Sequence, residues 1–274
     1  MAPKPLVESS ANITAKLPLK LSLKENLLQL LFPRRCPVCG QIVLPEGALI
    51  CAGCVQKLHF IRQPSCKKCG TELIADRAEY CPDCLRRQRS FEYGIALIRY
   101  DAVAQKSMAA VKYKNRREYL DFYAEAIARR YGYFFELHKE AVLVPVPVHP
   151  ARLRSRGFNQ AGELAVRLGR LTGLSVNEAL LVRTRKTAPQ KDLGPDERLR
   201  NLRHAFAVTA QSGTLAGNWT QRTVQGVVLC IPDTVVLVDD IYTTGSTIES
   251  CTRILKEVGV REVYFVSICI GGSV

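Results

Sequence analysis

Residues 239–247 read DDIYTTGST and follow the apolar run TVVLV. Two adjacent carboxylates, then four hydroxyls around a single glycine, fall within nine residues. A glycine at a strand-to-helix turn lets the backbone approach a ligand closely, and the N–H groups of such a turn converge on an anion. Thr243, Thr244, Gly245, Ser246 and Thr247 are therefore candidate phosphate-binding residues. Helix N-capping alone would use one hydroxyl, not four. No lysine follows the glycine, which excludes the nucleotide loop G-x-x-x-x-G-K-[ST]. Asp239 and Asp240 would repel a phosphate, so their partner must differ: a sugar diol or a divalent cation. A ligand with a phosphate at one end and a ribose diol nearby satisfies both halves.

A second chemistry lies upstream. Eight of the eleven cysteines form four C-x2-C pairs, starting at Cys36, Cys51, Cys66 and Cys81, fifteen residues apart each time. CPVCGQIVLPEGALICAGC (36–54) and CKKCGTELIADRAEYCPDC (66–84) align as a duplication in which Gly40 matches Gly70. Each unit supplies four thiolates, the tetrahedral donor set that structural zinc prefers, with no position left open for a catalytic water. Cys36, Cys39, Cys51, Cys54, Cys66, Cys69, Cys81 and Cys84 are thus candidate ligands of two Zn2+ ions. Neighbouring knuckles follow the duplication, but the spacing also allows a crossed pairing. Disulfides are the competing reading, weakened by the odd cysteine total and by the lack of an apolar signal-like run at the N-terminus. Cys230, Cys251 and Cys269 lie outside this pattern and read as small buried hydrophobes.

These residues need elements to position them. The 274 residues are 47% hydrophobic and 23% charged, with a formal net charge of +14, and no apolar run is long enough to cross a bilayer. Strand patterns at 91–100, 141–148, TVVLVDD and REVYFVSICI alternate with helical patterns in AVAQKSMAAVKY, REYLDFYAEAIARRYGYFFELH, AGELAVRLGRLTG and STIESCTRILKEVG. This alternation predicts an α/β domain with a mainly parallel sheet, whose ligands bind beyond the carboxyl ends of the strands. The polar stretch 209–226 reads as a loop or surface insertion.

VVLVDDIYTTGST resembles the phosphoribosyl pyrophosphate (PRPP) signature of type I phosphoribosyltransferases. The resemblance implies that Asp239 and Asp240 hold the ribose hydroxyls with Mg2+, and that Thr243 to Thr247 hold the 5-phosphate. LVPVPVHPARLRSRGFNQA (143–161), together with the front LLQLLFPRRCPVCG, further resembles the ComF family of ComFC/GntX-like proteins. That similarity implies an N-terminal tail (1–24), a double zinc ribbon (25–90) and a type I phosphoribosyltransferase-like domain (91–274). It places a pyrophosphate loop at Pro145, Val146 and Pro147, where Arg152, Arg154 and Arg156 can neutralise a diphosphate. By position, 182–202 resembles the loop that closes over the ligand, with Arg183, Arg185, Lys186, Gln190 and Lys191 as its candidates.

The resemblance implies a PRPP-binding protein of natural competence and DNA uptake, and the lack of a signal-like or membrane-length apolar run makes a cytoplasmic protein without membrane insertion the simplest expectation. Single-stranded DNA and the uptake machinery are the partners it implies. Arg86, Arg87, Arg89, Lys112, Lys114, Arg116 and Arg117 would follow a phosphate backbone, with Tyr113 and Tyr119 as stacking faces. The alternative is an active phosphoribosyltransferase, a glycosyltransferase acting on a small nitrogenous acceptor. No general base is evident, although His149 ends the VPVPV strand.

Overall fold

The computed structural model describes residues 33–45, 47–75, 77–184, 205–209, 219–224 and 227–271. Two short helices, α1 (Ala52–Val55) and α2 (Pro82–Arg86), belong to the cysteine repeats. There follow β1 (Gly94–Arg99), α3 (Ala102–Lys114), α4 (Tyr119–Arg130), α5 (Gly132–Leu137), β2 (Val142–Pro145), α6 (Pro150–Arg156), α7 (Gln160–Thr172) and β3 (Ser175–Val176). The chain continues through β4 (Leu181–Arg183), β5 (Phe206–Val208), β6 (Trp219–Val224), β7 (Val227–Pro232), β8 (Thr234–Tyr242), α8 (Ser246–Glu257) and β9 (Glu262–Ile270).

Five strands form one parallel sheet in the order β1-β9-β8-β2-β3. Its branched residues are buried on both faces, as an all-parallel sheet requires. Leu97, Leu143, Val236, Val238 and Val266 pack into the core formed with α3, α4 and α7. Ala96, Val142, Val144, Val235, Leu237 and Phe265 enter the core shared with α8. From β2 the chain crosses to β3 on one side, and from β8 to β9 on the other. The helices that follow the two strands therefore lie on opposite faces, and a crevice opens between the strand ends. β2 stops at Pro145, earlier than the expected 148, because Pro145 and Pro147 carry no N–H for a ladder.

The cysteine repeats are built into this frame. Val43, Ile50, Val55 and Leu58 of the first repeat join the core on the α4 side, whereas Cys66, Cys69, Leu73 and Cys81 of the second join the core on the α8 side. Between them, residues 59–61 run antiparallel beside β1: the Arg99 N–H donates to the His59 carbonyl (2.8 Å) and the Ile61 N–H to that of Leu97 (3.1 Å). The duplication thus places one repeat against each face of one sheet.

Two expectations are corrected. The pattern over 117–138 is not one helix but two: the chain turns at Tyr131, whose hydroxyl donates to the Ala96 carbonyl (2.6 Å), and Gly132 restarts it. Within 209–226, residues 219–224 are not loop but strand β6, paired antiparallel with β7 from Trp219–Pro232 to Val224–Val227.

Candidate functional site

The eight knuckle cysteines come together as two groups of four thiols, Cys36/39/51/54 and Cys66/69/81/84, with the sulfur atoms of each group within 4.8 Å of one another. This resolves the pairing: neighbouring knuckles share a site. The Cys39–Cys51 and Cys69–Cys81 sulfur pairs are 3.9 and 3.7 Å apart. A tetrahedron of Zn–S bonds near 2.3 Å has an edge of about 3.8 Å, so the groups fit zinc. Gly40 and Gly70 hold φ of 75° and 77°, the turn that lets each knuckle close behind its second cysteine. Within the first group, burial pushes the Cys51 thiol up to about 12, while the Gln41 backbone draws Cys39 down to about 7. Four thiols this close need a cation to ionise together. Cys251 and Cys269 are fully buried in the core, and Cys230 is partly buried.

The other site is a cleft of about 760 Å³ at the carboxyl ends of β2 and β8. Asp239, Asp240, Thr243 and Thr247 line it, together with Val146, Pro147, Arg152, Arg156 and Arg183. Pro145 and Arg154 are not in its wall; Pro145 ends β2, paired with Val238, and Arg154 is exposed on α6. Thr244, Gly245 and Ser246 lie behind the wall. The Thr244 and Ser246 hydroxyls bond each other at 3.0 Å, and Gly245, at φ 71°, caps α8. Arg185, Lys186, Gln190 and Lys191 fall outside the described residues. On the near side of that segment, β4 pairs with β5, and Arg183 lies opposite Phe206.

A Cβ on Gly245 would stand 2.3 Å from the Tyr242 hydroxyl oxygen. Tyr242 cannot yield, because its ring is buried and stacked on Phe265 with centroids 4.8 Å apart. Gly245→Ala combines this clash with positive-φ strain. It is expected to destabilise the fold by about 1–3 kcal/mol, read as a lower midpoint in thermal unfolding.

Charge in the cleft is arranged in opposing halves. Asp240 is buried and ion-paired with Lys112 of α3, Nζ to Oδ2 2.5 Å. Burial opposes the Lys112 charge, but Asp240 outweighs it and raises the ammonium pKa. Asp239 keeps some access to the cleft, and one carboxylate oxygen accepts the Asp240 N–H at 2.8 Å. The dense protein around Asp239, and then the charge of Asp240, raise its carboxyl well above the usual range. Elsewhere in the lining, burial and then neighbouring Arg152 lower the Arg183 pKa, while Asp239 acts the other way. Two guanidiniums facing one cleft at that cost favour a polyanion between them.

The RGFNQ turn shapes the rim. Asn159 caps α7 by accepting the Ala161 N–H, donates to the Val146 carbonyl (3.1 Å), and so ties α7 to the end of β2. The Arg156 guanidinium donates to Gln160 (2.6 Å) and lies 5.5 Å from the Tyr113 ring. His149 is engaged at Nδ1, which accepts the Ala151 N–H as the cap of α6.

Several residues assigned to a backbone-tracking surface belong elsewhere. Lys112 is a wall of the cleft, Arg89 has a buried side chain, and Tyr119 is 5% exposed. Sequence reading missed Lys112 as a site residue because its partner lies far along the chain. The only local signal was a lysine one turn from the end of an otherwise apolar helix face.

A double zinc ribbon domain matches residues 27–85, and a phosphoribosyl transferase domain matches residues 211–273. The molecule is thus a zinc-ribbon protein with a phosphoribosyltransferase fold. Competence protein F of Haemophilus influenzae is 26% identical over 85% of this chain and 95% of its own length. Competence protein ComFC of Streptococcus pneumoniae is 23% identical over 84% and 96%, and the DNA utilization protein YhgH of Salmonella typhimurium 26% over 86% and 97%. The chain thus carries these two domains in this order, and it is similar to these competence and DNA utilization proteins along most of its length. Among the described residues no helix is long and apolar enough to cross a membrane.

Proposed function

We propose that the cleft binds PRPP with Mg2+ and that the protein acts inside the cell in DNA uptake, in line with relatives named for competence and for DNA utilization. The observation that carries the PRPP reading is the acidic pair at the end of β8, beside a hydroxyl-rich turn and in one cleft with Arg152, Arg156 and Arg183. Asp239 and Asp240 would hold the ribose hydroxyls and the cation. The turn Thr243–Thr247 would hold the 5-phosphate, and the arginine wall the pyrophosphate. Mg2+ would neutralise the diphosphate charge; binding and orientation fall to the side chains. The eight thiols would hold two Zn2+ as structural ions.

Titration of PRPP with and without Mg2+, in wild type and in Asp239→Ala/Asp240→Ala, tests this reading. Equal binding by both proteins would remove it.

A single-stranded DNA partner is supported by the rim beside the cleft, where Tyr113 is 78% exposed and Lys114 is exposed one residue on. Three phosphate contacts by such a rim would give log K against log[salt] a slope of about −2. A flat salt response in a fluorescence anisotropy titration would sink that partner. The second reading is transfer: an acceptor nitrogen attacks C1 of the ribose, the C1–O bond breaks, and pyrophosphate leaves toward the arginines. Arg183 and Arg152 favour it, since their mutual repulsion is relieved most by a leaving diphosphate. A pyrophosphate-release screen over nucleobases separates the two readings.

A further inference from the structure

The second cysteine group is joined to the turn Thr243–Thr247 by a chain of partly buried contacts, which starts at Asp83, also paired with Arg87 (3.0 Å). Asp83 lies between the ligands Cys81 and Cys84, and its carboxylate accepts from Arg89 at 2.5 Å. The same Arg89 nitrogen donates to the Thr244 carbonyl at 2.8 Å, and the Arg89 side chain is only 3% exposed. That carbonyl immediately precedes Gly245, the cap of α8. The next residue repeats the connection: the Ser90 N–H and hydroxyl donate to the two oxygens of Glu249, at 2.8 and 2.7 Å, in the first turn of α8. Glu249 is 1% exposed. The Tyr242 phenol is packed under Gly245.

Among the described residues the first cysteine group has no such route. Its flanking Arg34 bonds Asp121 (2.7 Å) and the Glu118 carbonyl (3.1 Å), at the α4 side of the sheet. The duplication therefore supplies an internal control: two sites of one chemistry, one of them tied to the turn.

We propose that Arg89 is a positioning residue that couples the second cysteine site to the turn Thr243–Thr247, so that metal at the one and phosphate ligand at the other bind cooperatively. The ligand half of this statement rests on the PRPP reading above. One guanidinium nitrogen serves both partners because its two hydrogens are held in the guanidinium plane, whereas a lysine ammonium is a point charge on a flexible stem. Loss of the second metal frees Asp83, then Arg89, and the carbonyl before Gly245 loses its donor. Coupling between binding sites is reciprocal, so ligand at the turn strengthens metal retention by the same factor.

The test uses the full chain with both metals. Zinc transfer to a chromophoric chelator is followed with and without Mg·PRPP, in wild type, Arg89→Gln, Arg89→Lys and Arg34→Gln. Wild type should show two zinc ions, one of them released about 10-fold more slowly when ligand is bound. Arg89→Gln should keep two zinc ions, bind PRPP about 10-fold more weakly, and lose the ligand effect on release. Arg89→Lys should fall between, and serves if the glutamine variant fails to fold. Arg34→Gln should behave as wild type toward PRPP. Hydrogen exchange of the amides at 244–248 gives a readout without ligand, and it should quicken in the Arg89 variants alone. If wild type ignores PRPP but the exchange quickens, the PRPP reading falls and the strut stands. Unchanged exchange in the Arg89 variants overturns the coupling.

Discussion

Asp239→Asn is expected to melt at a higher temperature than wild type while binding PRPP about 100-fold more weakly, the loss of a charged hydrogen-bonding group at the ligand. The opposite directions follow from one cause. Dense protein around Asp239, and then the adjacent Asp240 charge, raise its carboxyl well above the usual range. A carboxyl whose folded pKa is raised is penalised in the folded state at every pH above its unfolded value. At neutral pH the wild type carries that penalty and the asparagine variant does not. The amide can still accept the Asp240 N–H that Oδ1 accepts now, so the local backbone is kept. A chain of this size gains about 2–4 °C per kcal/mol, and a rise of a few degrees is expected. As pH falls through the raised pKa toward the ordinary aspartate range near 4, the wild type takes up its proton and the difference in melting temperature should close. Differential scanning calorimetry from pH 8 to pH 4, beside a calorimetric PRPP titration, reads both effects. A variant that melts lower and binds as well as wild type would refute the argument.

Lys112→Met is expected to act in the reverse sense. It leaves the Asp240 carboxylate, 6% exposed, without its cation. Breaking a buried pair by removing one partner costs about 3–5 kcal/mol, toward the lower end here because the cleft admits water. That corresponds to a drop in melting temperature on the order of 10 °C. Because Asp240 raises the Lys112 pKa, the pair's contribution persists through neutral pH and disappears only above the ordinary lysine range. Millimolar Mg2+ should restore part of the loss in the variant and little in wild type, since a divalent cation beside Asp239 and Asp240 replaces the missing ammonium. Thermal melts with and without Mg2+ measure this. Equal melts for variant and wild type would show that Asp240 does not depend on Lys112.

Lys112 neutralises the Asp240 carboxylate, and Asp239 is left as the group that must find a partner. The two aspartates of DDIYTTGST, alike in sequence, are thus unlike in the fold: one is satisfied and contributes to stability, the other is strained and available.

Much of the molecule was legible from local pattern. The eight cysteines declared two metal sites because ligand spacing within a knuckle is a short-range matter, and Gly40 and Gly70 took the positive φ their positions implied. The valine-rich strands and the DDIYTTGST turn were legible for the same reason: periodicity and turn chemistry act within a few residues. Strand β6 was missed because its residues, WTQRTV, are polar enough to pass for loop until β7 is seen beside them.

What the sequence alone determined, then, was the inventory: four thiols twice, a parallel sheet, and a carboxylate pair next to a hydroxyl-rich turn. The tertiary structure alone decided which groups meet. It paired neighbouring knuckles, set one repeat on each face of the sheet, brought Lys112 to Asp240, and carried Arg89 across 155 residues to the Thr244 carbonyl. It also buried Tyr119 and Arg89, which composition had left at the surface. The reason is the range of the forces. Periodicity and metal-ligand spacing are written in consecutive residues, whereas an ion pair between distant segments exists only once the fold has fixed where both segments lie.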